Sequence, residues 1–470
     1  MYKRQILYRV TTCVDHPRRL SFAPRPERCP TYLAYTLIAG LAALVALPWF
    51  AWKAFRHGKY VGSLAERLGR VPVGINVDGD PSIWIHAVSV GEAVATRPLL
   101  AGLRERYPTL KVFVTTTTAT GQAIAQTRLK PVDGVCYFPI DLPGAVGRFL
   151  DVLRPQALLV METELWPNVL RACRARGITT MLVNGRLSPR SFGRYRLVRP
   201  FMRRVVGDLD ALAVQTRDVA DKFIALGADP DRVVVTGSLK FDAVDPALGT
   251  RDRVLRFFKV RLGRPVVIAA STLEGEDEPV LRAFRRARLK HPDALLILVP
   301  RHPERFADVV ALCASEGFKV ERRTALAIDV EPKADVIVLD TIGELAALFE
   351  VATVVFVGGS LVRAGGHNIL EPAAHGKPVV FGPHMENFAD IARTFLDQHG
   401  AVQVGSDGEL ADTLAALLDD PMRRATLGAT AKGIVEANRG ATERTLAVLG
   451  RLLPATPPRG AVVHHFPKVR

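Results

Sequence analysis

Cysteine is scarce in this sequence and never paired. Five occur in 470 residues, at positions 13, 29, 136, 173 and 313, and no two form a CxxC pair. An odd, dispersed set is neither a disulfide framework nor a zinc site, and reduced structural thiols are the expectation. No internal repeat is present, which excludes a solenoid. Proline and glycine are scattered without a period, which excludes collagen-like and low-complexity classes. No recognised nucleic-acid motif accompanies the net charge of +16. The positive excess therefore points to an anionic membrane surface or anionic substrates, not to nucleic acid. Histidines do not cluster and no DxD stands between strands in a position that suits a metal, so no metal site and no cofactor are expected.

A hydrophobic fraction of 48% and a charged fraction of 23% belong to a globular chain, and the length calls for two or three domains. Tyr32–Trp52 is one uncharged, mostly apolar run, about the length a helix needs to cross a bilayer core. Tyr32, Tyr35, Trp49, Phe50 and Trp52 sit at its ends as an interfacial belt would. A cleaved signal peptide has a shorter apolar region and a small-residue cleavage site, which does not follow here. Lys53, Arg56, Lys59, Arg67 and Arg70 follow instead, suited to anionic head groups. Seven Lys and Arg also precede the run (Lys3, Arg4, Arg9, Arg18, Arg19, Arg25 and Arg28), so the positive-inside rule assigns no orientation.

After residue 80, β-branched runs alternate with helical stretches such as Glu92–Tyr107 and Gly144–Leu153. Seven runs between Ser82 and Thr236 read as buried parallel strands, and five more follow between Pro265 and Phe381. This is an α/β pattern of two doubly wound, Rossmann-like domains facing each other across a cleft, preceded by a membrane-anchoring helix. The expected units are an extension at 1–31, an anchor helix at 32–56, a first domain at 57–245, a second at 246–450, and a disordered tail at 451–470.

Val354–Pro372, VVFVGGSLVRAGGHNILEP, is the strongest local signal. Gly358, Gly359, Gly365 and Gly366 let backbone approach a phosphate, with His367 and Asn368 opening a helix that carries Glu371 toward ribose hydroxyls. The bland reading is a tight turn with Asn368 as a helix cap. Arg301, in Val299-Pro300-Arg301-His302, offers a bidentate phosphate partner, and Gly343-Glu344-Leu345 a backbone that meets a base. Singly each is more often a loop with a solvated charge, but three such turns at consecutive strand ends favour a nucleotide site.

In the first half, Glu92 follows a strand and suits a general base for an acceptor hydroxyl, with an ordinary helix N-terminal Glu as the alternative. Glu162 and Glu164 follow another strand beside Trp166 and would project to one side if extended. Arg186 and Lys240 are candidate cations for the carboxylate and phosphate of a charged sugar nucleotide. Arg190, Arg194, Arg196 and Arg199 form a basic cluster that suits lipid phosphates or simply a solvated helix face.

Taken in order, HAVSVGE, PIDLP, METELWPN, NGRLS, TGSLKFD, VPRHPER, DTIGEL and FVGGSLVRAGGHNILEPAAHGKPVVFGPHMENF resemble the Kdo (3-deoxy-D-manno-octulosonic acid) transferases of lipopolysaccharide assembly over roughly residues 40–440. The resemblance implies a GT-B fold and inverting, metal-independent transfer of Kdo from CMP-Kdo to the lipid A precursor at the cytoplasmic face of the inner membrane. It implies Glu92 as proton acceptor, with Glu162 and Lys240 as transition-state contributors and Glu164 as an alternative to Glu162. CMP contacts fall on Pro300, Arg301, Gly343, Glu344, Leu345, Asn368, Ile369, Leu370 and Glu371. Residues before about 31 extend beyond the family's usual start. The competing readings are a GT-B transferase using a UDP-sugar, a sugar-nucleotide epimerase, and a nucleotide-binding module held at a membrane.

Overall fold

The structure, a computed structural model, describes residues 30–57, 61–72, 74–129, 131–244 and 251–453. The expectations for 1–29, for the loop at 245–250 and for the tail from 454 lie outside the described residues.

Two parallel seven-stranded sheets carry the chain. The first comprises β1 (Ser82–His86), β2 (Lys111–Thr116), β3 (Gly134–Tyr137), β4 (Pro155–Met161), β5 (Thr179–Gly185), β6 (Ala211–Val214) and β7 (Val233–Val235), in the order β3-β2-β1-β4-β5-β6-β7. The second comprises β8 (Val266–Thr272), β9 (Leu295–Pro300), β10 (Val320–Arg322), β11 (Val336–Val338), β12 (Val354–Val357), β13 (Val379–Phe381) and β14 (Val402–Gln403), in the order β10-β11-β9-β8-β12-β13-β14. Every strand run expected from the sequence forms. The two that were not expected, β10 and β14, are edge strands of three and two residues, too short for a periodic signal.

Both faces of each sheet are covered, as parallel sheets require. Ile83 and Ile85 of β1 face one apolar cluster while Trp84 faces another, and Ile268 and Val267 of β8 divide in the same way. Strand order reverses between β1 and β4 in the first sheet and between β8 and β12 in the second. Ligands of open α/β sheets bind outside the carboxyl ends of strands at such reversals.

The expected helix Glu92–Tyr107 is two helices, Val90–Ala95 and Arg97–Arg106, meeting at Thr96. Pro98 has no N–H to continue the ladder, so the chain turns there.

Leu239 is buried in the first half's core and Phe241 in the second's, so the core changes at Lys240. Helix Ala441–Leu452 then returns to the first half, where Leu446 and Leu449 join its core. Its start is held by Asp242, whose carboxylate accepts the N–H groups of Gly440 (2.7 Å) and Thr442 (2.6 Å).

Helix α1 spans Pro30–His57 and contains Pro48. Among the described residues no helix is long and apolar enough to cross a membrane, so the spanning helix expected of this run is not found there. The side chains of Trp49, Phe50, Trp52, Lys53 and Arg56 are not among those described. What is described has two faces. Tyr32, Tyr35 and Thr36, at helical spacing, bond to Asp208 (2.6 Å), Asp141 (2.9 Å) and Asn168 (3.0 Å) of the first half. Leu33, Leu37, Ile38, Leu41, Leu44 and Val45 are exposed.

Candidate active site

Glu92 and Glu162 leave the two strands that flank the first sheet's reversal, β1 and β4. Ser89 caps helix Val90–Ala95, accepting the Glu92 N–H, and its hydroxyl donates to Glu92 Oε1 at 2.9 Å. Val88 N–H donates to Glu92 Oε2 at 2.9 Å. This is close to a capping box, so the bland helix-end role is realised, yet each carboxylate oxygen keeps a lone pair. Burial, and next the charge of Glu162, push the Glu92 carboxyl up to about 7.

Glu162 sits in the left-handed region at φ 55°, a costly conformation for a residue with a Cβ. It therefore does not continue the strand, and the expectation that Glu162 and Glu164 project together from extended backbone is corrected. Glu162 is buried, and its Oε2 accepts Arg186 Nε at 2.6 Å while Lys240 Nζ lies 3.5 Å from Oε1. Glu164 is half-buried, and burial raises its carboxyl above the ordinary range. Four of the expected site residues, Glu92, Glu162, Arg186 and Lys240, are thus one electrostatic group. Asn184, also left-handed at φ 55°, accepts Leu239 N–H at 3.0 Å and fixes the backbone beside Lys240.

At the second reversal, the loop after β12 meets the loop after β8. Glu276, fully buried, takes four backbone N–H groups: Leu273 and Gly359 on Oε2 (2.9 and 2.6 Å), Ser360 and Leu361 on Oε1 (both 2.9 Å). The Gly358-Gly359-Ser360 turn expected to meet a phosphate is therefore already occupied by a carboxylate. Gly366 N–H is spent too, on Gly359 O at 2.8 Å. The N–H groups of His367, Asn368 and Ile369 have no acceptor among the described residues. These three lie at the start of the helix that carries Glu371. No rule of spacing singles out Glu276, because three of its four partners, Gly359, Ser360 and Leu361, lie more than 80 residues away.

Asn368 is tied into the start of the helix Leu370–Ala374. Its Oδ1 accepts Leu370 N–H at 3.1 Å, as a cap does, and its Nδ2 donates to Glu371 Oε1 at 3.0 Å. Burial raises the Glu371 carboxyl while Asn368 and Arg301 pull it back. The same Arg301, after burial, lowers His367 to about 4, so the imidazole is neutral near pH 7. Arg301, His367, Asn368 and Glu371 thus share one corner, with Arg301 exposed at the end of β9, beyond buried Pro300.

Ile369 and Leu370 are fully buried, so only their backbone can touch a ligand. Glu344 is bound by Arg323 in bidentate fashion (2.7 and 3.0 Å), which likewise leaves its backbone, beside Gly343 at φ 90° and core-packed Leu345. Gly365 and Gly366 have positive φ, and a Cβ on either would collide with Asn387 or Met385. Among the described residues no three His, Cys, Asp or Glu side chains gather as a metal-ligating set.

Two facing Rossmann-like sheets with charged groups at both reversals define a GT-B-type fold. A solved UDP-GlcNAc 2-epimerase from Neisseria meningitidis shares it at TM-score 0.56, over 78% of this chain and 99% of that one, with 13% identity that speaks to fold alone. A family model described as glycosyl transferases group 1 matches residues 265–433, and one described as 3-deoxy-D-manno-octulosonic-acid transferase matches residues 62–243. The 3-deoxy-D-manno-octulosonic acid transferase of Haemophilus influenzae is 36% identical over 423 residues, 88% of this chain and 97% of that protein. The one of Bordetella pertussis is 36% identical over 426 residues, 88% of this chain and 98% of that protein. The chain belongs to the 3-deoxy-D-manno-octulosonic acid (Kdo) transferase family. It is a glycosyltransferase of lipopolysaccharide synthesis.

Proposed function

We propose that this enzyme moves Kdo from CMP-Kdo to a hydroxyl of the lipid A precursor by single inverting displacement, without a metal ion. Glu92 takes the hydroxyl proton, and the freed oxygen attacks the anomeric carbon. The bond from that carbon to the CMP phosphate oxygen breaks, and its electron pair leaves on CMP. A base titrating near 7 suits this task, because enough is ionised to accept a proton and enough basicity remains to hold it. Lys240 and Arg186, gathered on Glu162, supply positive charge for the Kdo carboxylate and the departing phosphate. Arg301 and the unspent N–H groups of residues 367–369 hold the phosphate, and the backbone of Gly343 to Leu345 meets the base. Glu371 receives ribose hydroxyls. The observation that carries this reading is the Glu92 carboxyl at about 7 beside a Glu162 shared by two cations.

The reading extends to the bilayer. Exposed Leu33, Leu37, Ile38, Leu41, Leu44 and Val45 seat α1 in the inner membrane, with the two sheets on the cytoplasmic side. Burying one such side chain is worth about 1.5–3 kcal/mol, so six make a strong attachment. Arg190, Arg194, Arg196 and Arg199 then meet acceptor phosphates.

The test is to incubate membranes containing the protein with CMP-Kdo and tetra-acylated lipid A precursor and to weigh the lipid. A gain of one or more Kdo units is expected. Folded protein that gives no gain with CMP-Kdo but transfers from a UDP-sugar would overturn the donor assignment.

A further inference from the structure

Lys240 lies where the chain leaves one core for the other, and a second group besides Glu162 touches it. The Phe388 ring, from the second half, stands under the ammonium with its centroid 4.9 Å from Nζ. We infer that Phe388 is a positioning residue for Lys240, linking the donor loop to that cation. The inference rests on the role proposed above for Lys240.

The backbone around Lys240 is fixed. Leu239 and Phe241 are buried in opposite cores, and Leu239 N–H is held by Asn184. What stays free is the swing of a four-carbon stem, and its ammonium is pinned from two sides, by Glu162 Oε1 at 3.5 Å and by the ring. The two contacts differ in kind. A carboxylate neutralises an ammonium, whereas the face of a phenyl ring attracts it without cancelling its charge. The charge therefore stays available to a leaving phosphate.

The segment that carries Phe388 is bound to the donor loop at several points. His384 N–H donates to Ser360 O and Asn387 N–H to Gly365 O, both at 2.9 Å. Asn387 Nδ2 donates to Ala364 O at 3.2 Å. Met385 packs so closely on Gly366 that a Cβ there would lie 2.3 Å from Sδ. A donor that orders residues 364–368 thereby sets the ring against Lys240. Glycine at 366 and the aromatic at 388 are two points of one linkage that ends on Lys240.

The experiment measures kcat of the full chain in membranes, at saturating CMP-Kdo and lipid acceptor, for Phe388→Leu, Phe388→Tyr, Lys240→Met and the double variant Phe388→Leu/Lys240→Met. Leu keeps the bulk but lacks the ring's quadrupole, and kcat should fall on the order of tenfold. Tyr should restore most of it. In the Lys240→Met background Phe388→Leu should cost nothing more, because the ring acts only through the ammonium. The same tenfold loss in that background, or Tyr no better than Leu, would assign the ring to packing alone and overturn the inference. Full activity of Lys240→Met would instead remove the role proposed for Lys240, and this inference with it. Should Phe388→Leu fold poorly, 3,4,5-trifluorophenylalanine at 388 keeps the shape and weakens the quadrupole. An unchanged kcat there would equally overturn the linkage.

Discussion

Glu162 and Arg186 leave neighbouring strands, β4 and β5, and meet at 2.6 Å with Glu162 turned into the left-handed region. Lys240 shares the same carboxylate. Replacing Glu162 by Gln keeps the shape and removes the charge that gathers both cations. We expect kcat to fall by about 100-fold or more, the scale of losing one aligned transition-state contact. Stability should drop by only about 1–3 kcal/mol, since Arg186 is partly solvated. Single-turnover rates beside thermal melts check both, and undiminished kcat in Glu162→Gln would show that the cations need no organiser.

Glu92 gives a pH prediction whose sign is fixed. Its folded-state carboxyl is raised to about 7 from an ordinary 4.5. The base must be ionised, so kcat/KM should climb through about pH 7 and level off above it. Stability runs the other way. The protonated form is favoured in the folded state, so its contribution is complete below the unfolded value and is lost as pH rises from about 4.5 to about 7, at most ~3 kcal/mol. Glu92→Gln should abolish transfer and flatten this part of the stability profile. Denaturant midpoints at pH 5 and 8, with and without the substitution, measure it.

Glu276 should behave as a structural carboxylate with a functional cost. Glu276→Ala strands the N–H groups of Leu273, Gly359, Ser360 and Leu361 in a buried site. Unmade bonds of this kind cost about 1–3 kcal/mol each before water relieves them. The donor KM should rise at least tenfold while the acceptor KM stays near that of the parent. Initial rates with each substrate varied separately distinguish the two.

Helix α1 has a docked face and an exposed face, and they should fail differently. Leu37→Asp with Leu41→Asp should reduce flotation with anionic vesicles without moving the melting temperature, since both side chains are largely exposed. Tyr35→Phe deletes the bond to Asp141 and should cost about 1 kcal/mol of stability with little change in flotation.

Much of this protein was determined by local sequence. The strand runs and the alternating helices follow from periodicity over five to fifteen residues. The motifs that place Glu92, Glu162, Lys240, Arg301 and Asn368 at strand ends are equally local, because a strand end is a property of its own neighbourhood. Pairing was decided only by tertiary structure. Sequence left Glu162 and Glu164 as a matched pair, and the left-handed turn at Glu162 separates them and gives Glu162 to Arg186 and Lys240. The glycines after β12 signalled an anion site, but a Glu276 carboxylate 83 residues before Gly359 takes the N–H groups of Gly359 and Ser360, while those of residues 367–369 have no acceptor among the described residues. The return of Ala441–Leu452 to the first half, and the ring of Phe388 under Lys240, are likewise settled by strand order and core packing. Hydrogen-bonding capacity is written in each residue, but which capacity is already spent depends on partners that only the folded chain brings within 3 Å or so of one another.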